Sequence, residues 1–294
     1  MIDKPILELP ENDARFASWN RTMHRMLAES GVFAVKVVTD LPLPHRKSAG
    51  RVTKNFSSIR VNGMTLGLDS WDSASPTDTL MKLGYFDPKG MLANVRFVLK
   101  IQWQPLPLWD ELFAKTGIPV TPWTIFPSRE FPLEAFQYDP TAKHIYTGAI
   151  NGVMRYGRTD YRNMAQKHQD FYVSIGSKDD TMDEYLNILR ACRWGISLCG
   201  KRGTDGKNRR EIEYVSCGMP LALNYCPHYP FPFFPERDFI LLKSPDDLLR
   251  LRDTDPAPFA EASRQVYRDH WSPVGMSRTL IQLVDQYCPL LARR

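Results

Sequence analysis

Apolar and polar residues alternate in short blocks along the chain, most clearly between residues 185 and 225. The spacing of Leu186, Ile188 and Leu189 predicts a short helix over 185–192, and the apolar run at 194–199 predicts a buried strand. A loop rich in glycine and in basic residues occupies 200–210. A helix over 212–218, ended by Gly218, and a strand over 220–224 complete the stretch.

The rest of the chain shows the same alternation of strand and helix patterns. Helices are predicted over 13–30, 76–83, 108–115, 158–168, 244–251, 261–269 and 274–287, and strands over 32–38, 58–68, 94–102, 118–126, 144–147, 170–174 and 240–242. Strands that alternate with helices are typical of parallel sheets covered by helices on both faces. The sequence therefore predicts an α/β protein with two Rossmann-like, doubly wound domains.

A polar segment with prolines at positions 132 and 140, residues 128–143, separates the two halves of the chain. The chain of 294 residues is long enough for two domains of ordinary size. We expect an N-terminal domain over 1–135 and a C-terminal domain over 136–272. A break at 271–273 precedes a last helical segment, residues 273–294.

The loop at 200–210 combines glycines with basic side chains, and a carboxylate, Glu213, lies one helical turn beyond them. Glycines let the backbone approach a phosphate closely, and the N-terminus of the following helix favours an anion. A carboxylate at that distance can accept hydrogen bonds from ribose hydroxyls. The pattern predicts a binding site for a nucleoside diphosphate. The basic residues of this site are Lys201, Arg202, Lys207, Arg209 and Arg210.

The order Arg210, Glu213, Gly218, Pro220 forms the pattern R-x-x-E-x-x-x-x-G-x-P. This pattern resembles the donor-binding half of GT-B glycosyltransferases, and the flanking sequence is most similar to the exostosin-like group. The resemblance covers roughly the second half of the chain. An arginine and a glutamate three residues apart also form plain surface ion pairs on helices, so the prediction depends on the whole ordered pattern.

The resemblance implies a GT-B architecture in which two Rossmann-like domains face a cleft, the first on the acceptor side and the second binding the nucleotide sugar. It implies that the last helix crosses back to the first domain. It also implies that the arginine and the basic loop face the donor phosphates, that Glu213 holds the ribose, and that a loop after the first strand of the second domain approaches the diphosphate. The implied donor-binding residues are Gly148, Arg155, Lys201, Arg202, Gly203, Asn208, Arg209, Arg210 and Glu213.

Transfer of a sugar with inversion needs a base for the acceptor hydroxyl. Asp69 and Asp72 follow the strand predicted over 58–68, at the end of a parallel strand where ligand sites collect, and either can instead cap the next helix. His45 is a weaker candidate. Basic residues and helix N-termini can stabilise a leaving diphosphate, and we expect no Asp-x-Asp motif of the kind that metal-dependent glycosyltransferases use, so we expect a metal-independent reaction.

Composition and charge exclude several other classes of protein. Hydrophobic residues make up 43% of the chain, which indicates a packed core, and the net charge of +5 is scattered with no nucleic-acid motif, so we expect no nucleic-acid partner. We expect no integral membrane segment, and no secretory signal pattern is visible. The five cysteines form no C-x-x-C pair, which indicates free thiols, no zinc site and a cytoplasmic location.

Together these features predict a glycosyltransferase that moves a sugar from a UDP- or GDP-sugar to a hydroxyl of a glycan or glycoconjugate. A sugar-nucleotide epimerase with the same architecture is the first alternative, and it would act on the donor without an acceptor. A non-catalytic carbohydrate-binding protein is the second alternative, and it would bind sugar without affinity for the nucleotide.

Overall fold

A computed structural model describes residues 4–11, 16, 18–41, 55–70, 94–101, 103, 105–124, 146–151, 158–174, 182–198 and 209–291. The chain divides into two compact units. Unit 1 consists of Met1–Ser128, His228–Phe231 and Asp269–Arg294, and unit 2 consists of Arg129–Pro227 and Pro232–Arg268. The predicted separator at 128–143 and the helix predicted over 76–83 lie outside the described residues.

The described residues in the first part of the chain form six strands and two helices. They are β1 (Ile6–Pro10), α1 (Ser18–Glu29), β2 (Ala34–Val38), β3 (Phe56–Val61), β4 (Met64–Asp69), β5 (Phe97–Lys100), α2 (Pro107–Thr116) and β6 (Val120–Pro122). The strands form one sheet in the order β2-β1-β3-β4-β5-β6. β3 runs antiparallel to both of its neighbours, and the other paired strands are parallel.

The region predicted as one strand over 58–68 is in fact a hairpin of β3 and β4. Asn62 and Gly63 form its turn with φ angles of 48° and 81°. An Asn-Gly pair with both residues left-handed gives a turn whose twist matches the flanking strands, so the chain reverses here instead of continuing. The hairpin places one antiparallel strand inside an otherwise parallel sheet.

The second part of the chain forms the elements of unit 2. They are β7 (Tyr146–Asn151), α3 (Arg158–Gln166), β8 (Phe171–Ser174), α4 (Met182–Arg190), β9 (Cys192–Ser197), α5 (Arg209–Ser216), β10 (Leu221–Leu223), β11 (Phe239–Leu241), α6 (Asp247–Asp253) and α7 (Ala257–Val266). All five strands are parallel, in the order β11-β10-β9-β7-β8. The predicted α/β class with two sheets rich in parallel strands is confirmed.

The helices cover the sheets with continuous apolar faces. In unit 1, α2 packs on β5 through a cluster formed by Phe56, Val95, Val98, Trp109, Leu112 and Ile118. In unit 2, residues of α3 and α6 pack on β9, β10 and β11 in a cluster that includes Tyr161, Trp194, Ile196, Ala222, Ile240 and Leu248. Burial of these side chains is the main stabilising contribution in both units.

A short π-helical turn (Tyr267–Trp271) follows α7, and the last helix, α8 (Pro273–Leu291), follows that turn. The helix predicted over 261–269 therefore ends earlier than expected. Gly275 lies against the turn so closely that a Cβ atom there would be 2.5 Å from the carbonyl carbon of Asp269. α8 packs against α1 within unit 1, where the Tyr287 ring lies 4.7 Å from the Phe97 ring.

Candidate functional site

The strand order of unit 2 defines one place where a ligand site is expected. Numbered along the chain, the order is 5-4-3-1-2, so the connections leave in opposite directions from β7 and β9. In doubly wound sheets, ligands bind at the carboxyl ends of the two strands that flank this switch point. Here these ends are Asn151 of β7 and Ser197 of β9.

The two segments that are predicted to bind the sugar-nucleotide donor are connected to these two strands. Gly148 lies in β7, in register with Trp194 of β9, and β9 leads into the segment that ends with α5. α5 carries Arg209, Arg210 and Glu213. The other predicted residues, Arg155, Lys201, Arg202, Gly203, Asn208 and Asp72, and also His45, lie outside the described residues.

Arg210 and Glu213 contact each other directly. An Arg210 guanidinium nitrogen lies 2.6 Å from Glu213 Oε2, and the Tyr185 hydroxyl of α4 donates to the same oxygen at 3.2 Å. The guanidinium also lies over the Tyr185 ring, 4.8 Å from its centre. Glu213 is only 2% exposed, whereas Arg210 is 34% exposed. The pair is therefore not a plain surface ion pair, because its acidic half is buried.

Tyr185 and Arg210 each keep one protonation state at neutral pH. Burial raises the pKa of the Tyr185 hydroxyl well above its ordinary value, and the nearby Tyr214 and Glu213 raise it further. Burial lowers the pKa of the Arg210 guanidinium, but Tyr185 and Glu213 more than offset that effect, so its pKa is raised. Arg210 therefore stays charged, and Tyr185 stays a neutral donor.

A second buried carboxylate lies in the first turn of α5. Glu211 is 0% exposed, and it accepts a hydrogen bond from the hydroxyl of Tyr225, which follows β10. The predicted site residues do not include Tyr185, Glu211 or Tyr225. Tyr185 and Tyr225 lie at the two ends of the stretch 185–225, but nothing in the sequence pattern shows that their hydroxyls contact the carboxylates of α5.

Two glycines fix the position of α5. A Cβ atom at Gly195 of β9 would lie 2.4 Å from Cγ of Tyr214, so the helix lies on a strand position that only glycine fits. Gly218 has a φ of 67° and ends the helix in the left-handed conformation. The Met219 amide then donates to the Tyr214 carbonyl, and the chain enters β10 after Pro220. Gly218 and Pro220 of the motif therefore have a structural role.

The candidate base Asp69 is the last residue of β4 in unit 1. Its Oδ2 lies 3.3 Å from Nζ of Lys100, the last residue of β5, and the two side chains are 3% and 0% exposed. Asp69 and Lys100 are also register partners on these parallel strands. This geometry is that of a buried ion pair, which favours a structural contribution from Asp69.

One Asp-x-Asp triplet does occur in the chain, Asp253-Thr254-Asp255, away from the predicted donor loop. Asp253 ends α6, and Asp255 Oδ1 accepts from the Ala257 amide at 3.0 Å. Asp255 therefore caps the start of α7. Among the described residues, no group of three or more His, Cys, Asp or Glu side chains is arranged to hold a metal ion.

Three cysteines have described side chains, and all three are free thiols. Cys192 and Cys217 are buried, and Cys226 is exposed. Burial raises the pKa of the Cys192 thiol to about 12. Within the described part of the chain, no helix is both long and apolar enough to cross a membrane.

Comparisons with known proteins give matches among solved structures. No family model matches the chain, and no curated protein matches it. The structure of a GtfA/B complex matches with 11% identity and a TM-score of 0.41, covering 90% of this chain and 55% of that one. The pneumococcal O-GlcNAc transferase GtfA, in complex with UDP and GlcNAc, matches with 12% identity and a TM-score of 0.31, covering 90% and 51%. The chain spans about half the length of these proteins, and the similarity assigns it to no family.

Proposed function

We propose that the chain is a glycosyltransferase of the GT-B type that takes its sugar from a nucleoside-diphosphate donor. The observation that supports this proposal is the position of α5. Its basic first turn follows β9, one of the two strands at the switch point, and the buried carboxylate of Glu213 lies one turn further along. A cationic helix start suits a diphosphate, and a buried carboxylate suits the ribose hydroxyls of the same molecule.

The contacts of Glu213 suggest how a donor enters this site. In the free protein, Arg210 and the Tyr185 hydroxyl both donate to Glu213. A ribose hydroxyl that donates to the carboxylate takes over part of this hydrogen bonding. Arg210, whose side chain is 34% exposed, is then available to a phosphate oxygen. In this proposal Arg155, Lys201, Arg202, Gly203, Asn208 and Arg209 complete the diphosphate site next to Gly148.

The reaction proposed is a single displacement. The acceptor hydroxyl oxygen forms a bond to the anomeric carbon, the bond from that carbon to the diphosphate oxygen breaks, and the hydroxyl proton passes to a base. Asp72 is the proposed base, because Asp69 is already held by Lys100. The guanidinium of Arg210 and the first turn of α5 stabilise the negative charge on the leaving diphosphate, which is the contribution that a divalent metal makes in other transferases. The acceptor is a glycan or glycoconjugate hydroxyl.

Thermal unfolding with a panel of nucleotides tests the proposal. UDP, GDP and their sugar conjugates are added without metal and then with manganese. A ligand that binds the folded state raises the melting temperature as its concentration exceeds Kd. We expect one nucleotide base to raise it without metal, and the matching nucleotide sugar to glycosylate an acceptor. The absence of any shift, or epimerised sugar nucleotide formed without acceptor, would overturn the proposal.

A further inference from the structure

Ser197, the last residue of β9, carries a buried hydroxyl for which no described residue provides a hydrogen-bond partner. The residue is 0% exposed, and its Oγ has no partner within the described part of the chain. A buried hydroxyl without a partner costs folding free energy, and native structures contain few of them. Such a group at the carboxyl end of a strand beside the switch point suggests a partner that arrives with a ligand.

The alternation of side chains along β9 shows which face of the sheet Ser197 occupies. Side chains two residues apart in a strand lie on the same face, so Ser197 shares a face with Gly195. The Cβ position of Gly195 faces the ring of Tyr214, which belongs to α5. Trp194 and Ile196, on the opposite face, belong to the cluster with α3 and α6. Ser197 therefore lies on the face that α5 covers.

The position along α5 follows from the rise of each element. β9 and β10 are parallel and α5 connects them, so the helix runs back across the sheet against the strand direction. Two residues of strand cover about 6.6 Å, which equals roughly four residues of helix. Counted back from Tyr214, this distance ends at Arg210. Ser197 therefore lies beneath the first turn of α5.

The first turn of a helix leaves its backbone N–H groups without acceptors inside the helix, and the dipole makes this end positive. α5 has 8 residues, and its first two are arginines. An anion at this point meets N–H groups, a guanidinium and, from below, the Ser197 hydroxyl. Two independent features of the described residues thus converge on one place, and both favour negatively charged oxygen.

We propose that Ser197 is a binding residue whose Oγ donates a hydrogen bond to a phosphate oxygen of the nucleoside-diphosphate donor at the start of α5. The inference rests on the proposed function and adds to it a contact from the sheet below the helix. In the free protein the described residues offer this hydroxyl no partner, and in this proposal the ligand supplies the acceptor.

This role makes the effects of Ser197→Ala on stability and on binding opposite in sign. Removing a hydroxyl that has no partner removes its desolvation cost, so the melting temperature of the free protein rises by about 2 °C. Removing a hydrogen bond to a charged phosphate weakens binding by about tenfold or more. Substitution of a serine that has only a structural role would not both raise the melting temperature and weaken ligand binding.

The same unit offers a matched control. Ser263 of α7 is 1% exposed, and its Oγ also has no partner within the described part of the chain. It lies on the helix that packs against α5 and β10, outside the proposed site. Ser263→Ala should raise the melting temperature by a similar amount and leave ligand binding unchanged.

The experiment measures the Kd of UDP, GDP and inorganic pyrophosphate for the wild type, Ser197→Ala and Ser263→Ala, together with their melting temperatures without ligand. Weaker binding of pyrophosphate and of the preferred nucleotide by Ser197→Ala alone supports the inference. Equal affinities in all three proteins overturn it and leave the proposed function standing. A third outcome is that the wild type binds pyrophosphate but neither nucleotide, and that Ser197→Ala weakens pyrophosphate binding. This result overturns the proposal of a nucleotide donor and supports the contact between Ser197 and phosphate. Binding of none of the three ligands by the wild type overturns both.

Discussion

The charged residues at the carboxyl edges of the two parallel-rich sheets differ in their burial and in their partners. In unit 1 the edge holds Asp69 and Lys100, which are almost fully buried and form an ion pair with each other. In unit 2 the edge holds a basic helix start, where Arg210 stays one-third exposed and the Ser197 hydroxyl has no described partner. The two edges differ because the charged groups of the first are buried and paired with each other, whereas the second keeps a partly exposed cation. We propose that the first edge contributes to stability and that the second binds a ligand.

The largest effect is expected from breaking the ion pair of unit 1. Lys100→Met leaves the carboxylate of Asp69 buried without its cation, and the free energy of unfolding should fall by about 3–5 kcal/mol. Chemical denaturation measures this change. UDP affinity, measured where the variant is still folded, should stay that of the wild type.

Lys36→Met is the control for this prediction, because Lys36 is an exposed lysine on β2 in the same unit. It should change the free energy of unfolding by less than about 0.5 kcal/mol. Equal effects of the two variants would show that the Asp69–Lys100 pair is not the source of stability.

The second prediction concerns the buried carboxylate of Glu213 in unit 2. Glu213→Gln keeps the size of the side chain but removes the charge that accepts hydrogen bonds from the ribose. UDP binding should weaken by about tenfold to a hundredfold, whereas pyrophosphate binding should change little, because pyrophosphate has no ribose. Titration calorimetry with both ligands measures the difference.

Glu261→Gln provides the control at the same spacing. Glu261 pairs with Arg264 three residues further along, but its side chain is 60% exposed. This variant should leave both affinities unchanged. An equal loss of UDP and pyrophosphate affinity in Glu213→Gln would contradict the ribose assignment.

The third prediction uses one glycine from each sheet. A Cβ atom at Gly195 would lie 2.4 Å from Tyr214, and one at Gly67 would lie 2.7 Å from the Phe56 ring. Either substitution by alanine should cost about 1–3 kcal/mol through overpacking. Only Gly195→Ala displaces α5, so only this variant should also weaken UDP binding. Weakened binding in Gly67→Ala alone would place the site in unit 1.

The last prediction concerns the dependence of stability on alkaline pH, an effect that is absent at neutral pH. Burial raises the pKa of Cys192 from its ordinary 9.0 to about 12. Between pH 9 and pH 12 the thiol is deprotonated in the unfolded chain but still protonated in the folded protein. The contribution of the buried thiol to the free energy of unfolding is therefore complete below pH 9 and is lost as the pH rises toward 12. The loss is up to about 1.4 kcal/mol per pH unit. Denaturation curves of Cys192→Ala should show a shallower decline, whereas those of Cys226→Ala, at an exposed thiol, should show nearly the wild-type decline.

The sequence predicts the fold of unit 2 better than that of unit 1. The strands β9, β10 and β11 are almost entirely buried, so they form short apolar runs that stand out from their surroundings. In unit 1, β1 has a glutamate at its centre and a proline at its end, so its sequence pattern does not predict a strand. The β3–β4 hairpin was missed because two strands joined by a two-residue turn have the length of one long strand pattern.

The contacts of the candidate site could be predicted only where its residues lie close together in the sequence. Arg210 and Glu213 lie on one helix, and their order along the chain made them candidates. The Tyr185–Glu213 contact spans 28 positions, and the Tyr225–Glu211 contact spans 14, so they depend on tertiary packing. The Ser197 hydroxyl gives no signal in the sequence, because its lack of a partner is a property of the folded environment.

The most direct test of the central claim is amide hydrogen exchange of the whole protein with and without saturating UDP or GDP. The claim is that the carboxyl edge of unit 2 binds a nucleoside diphosphate. It predicts slower exchange at the first turn of α5 and at the end of β9 with one of the two nucleotides, in the absence of metal. Unchanged exchange in α5 with both nucleotides, or protection confined to unit 1, would contradict the claim.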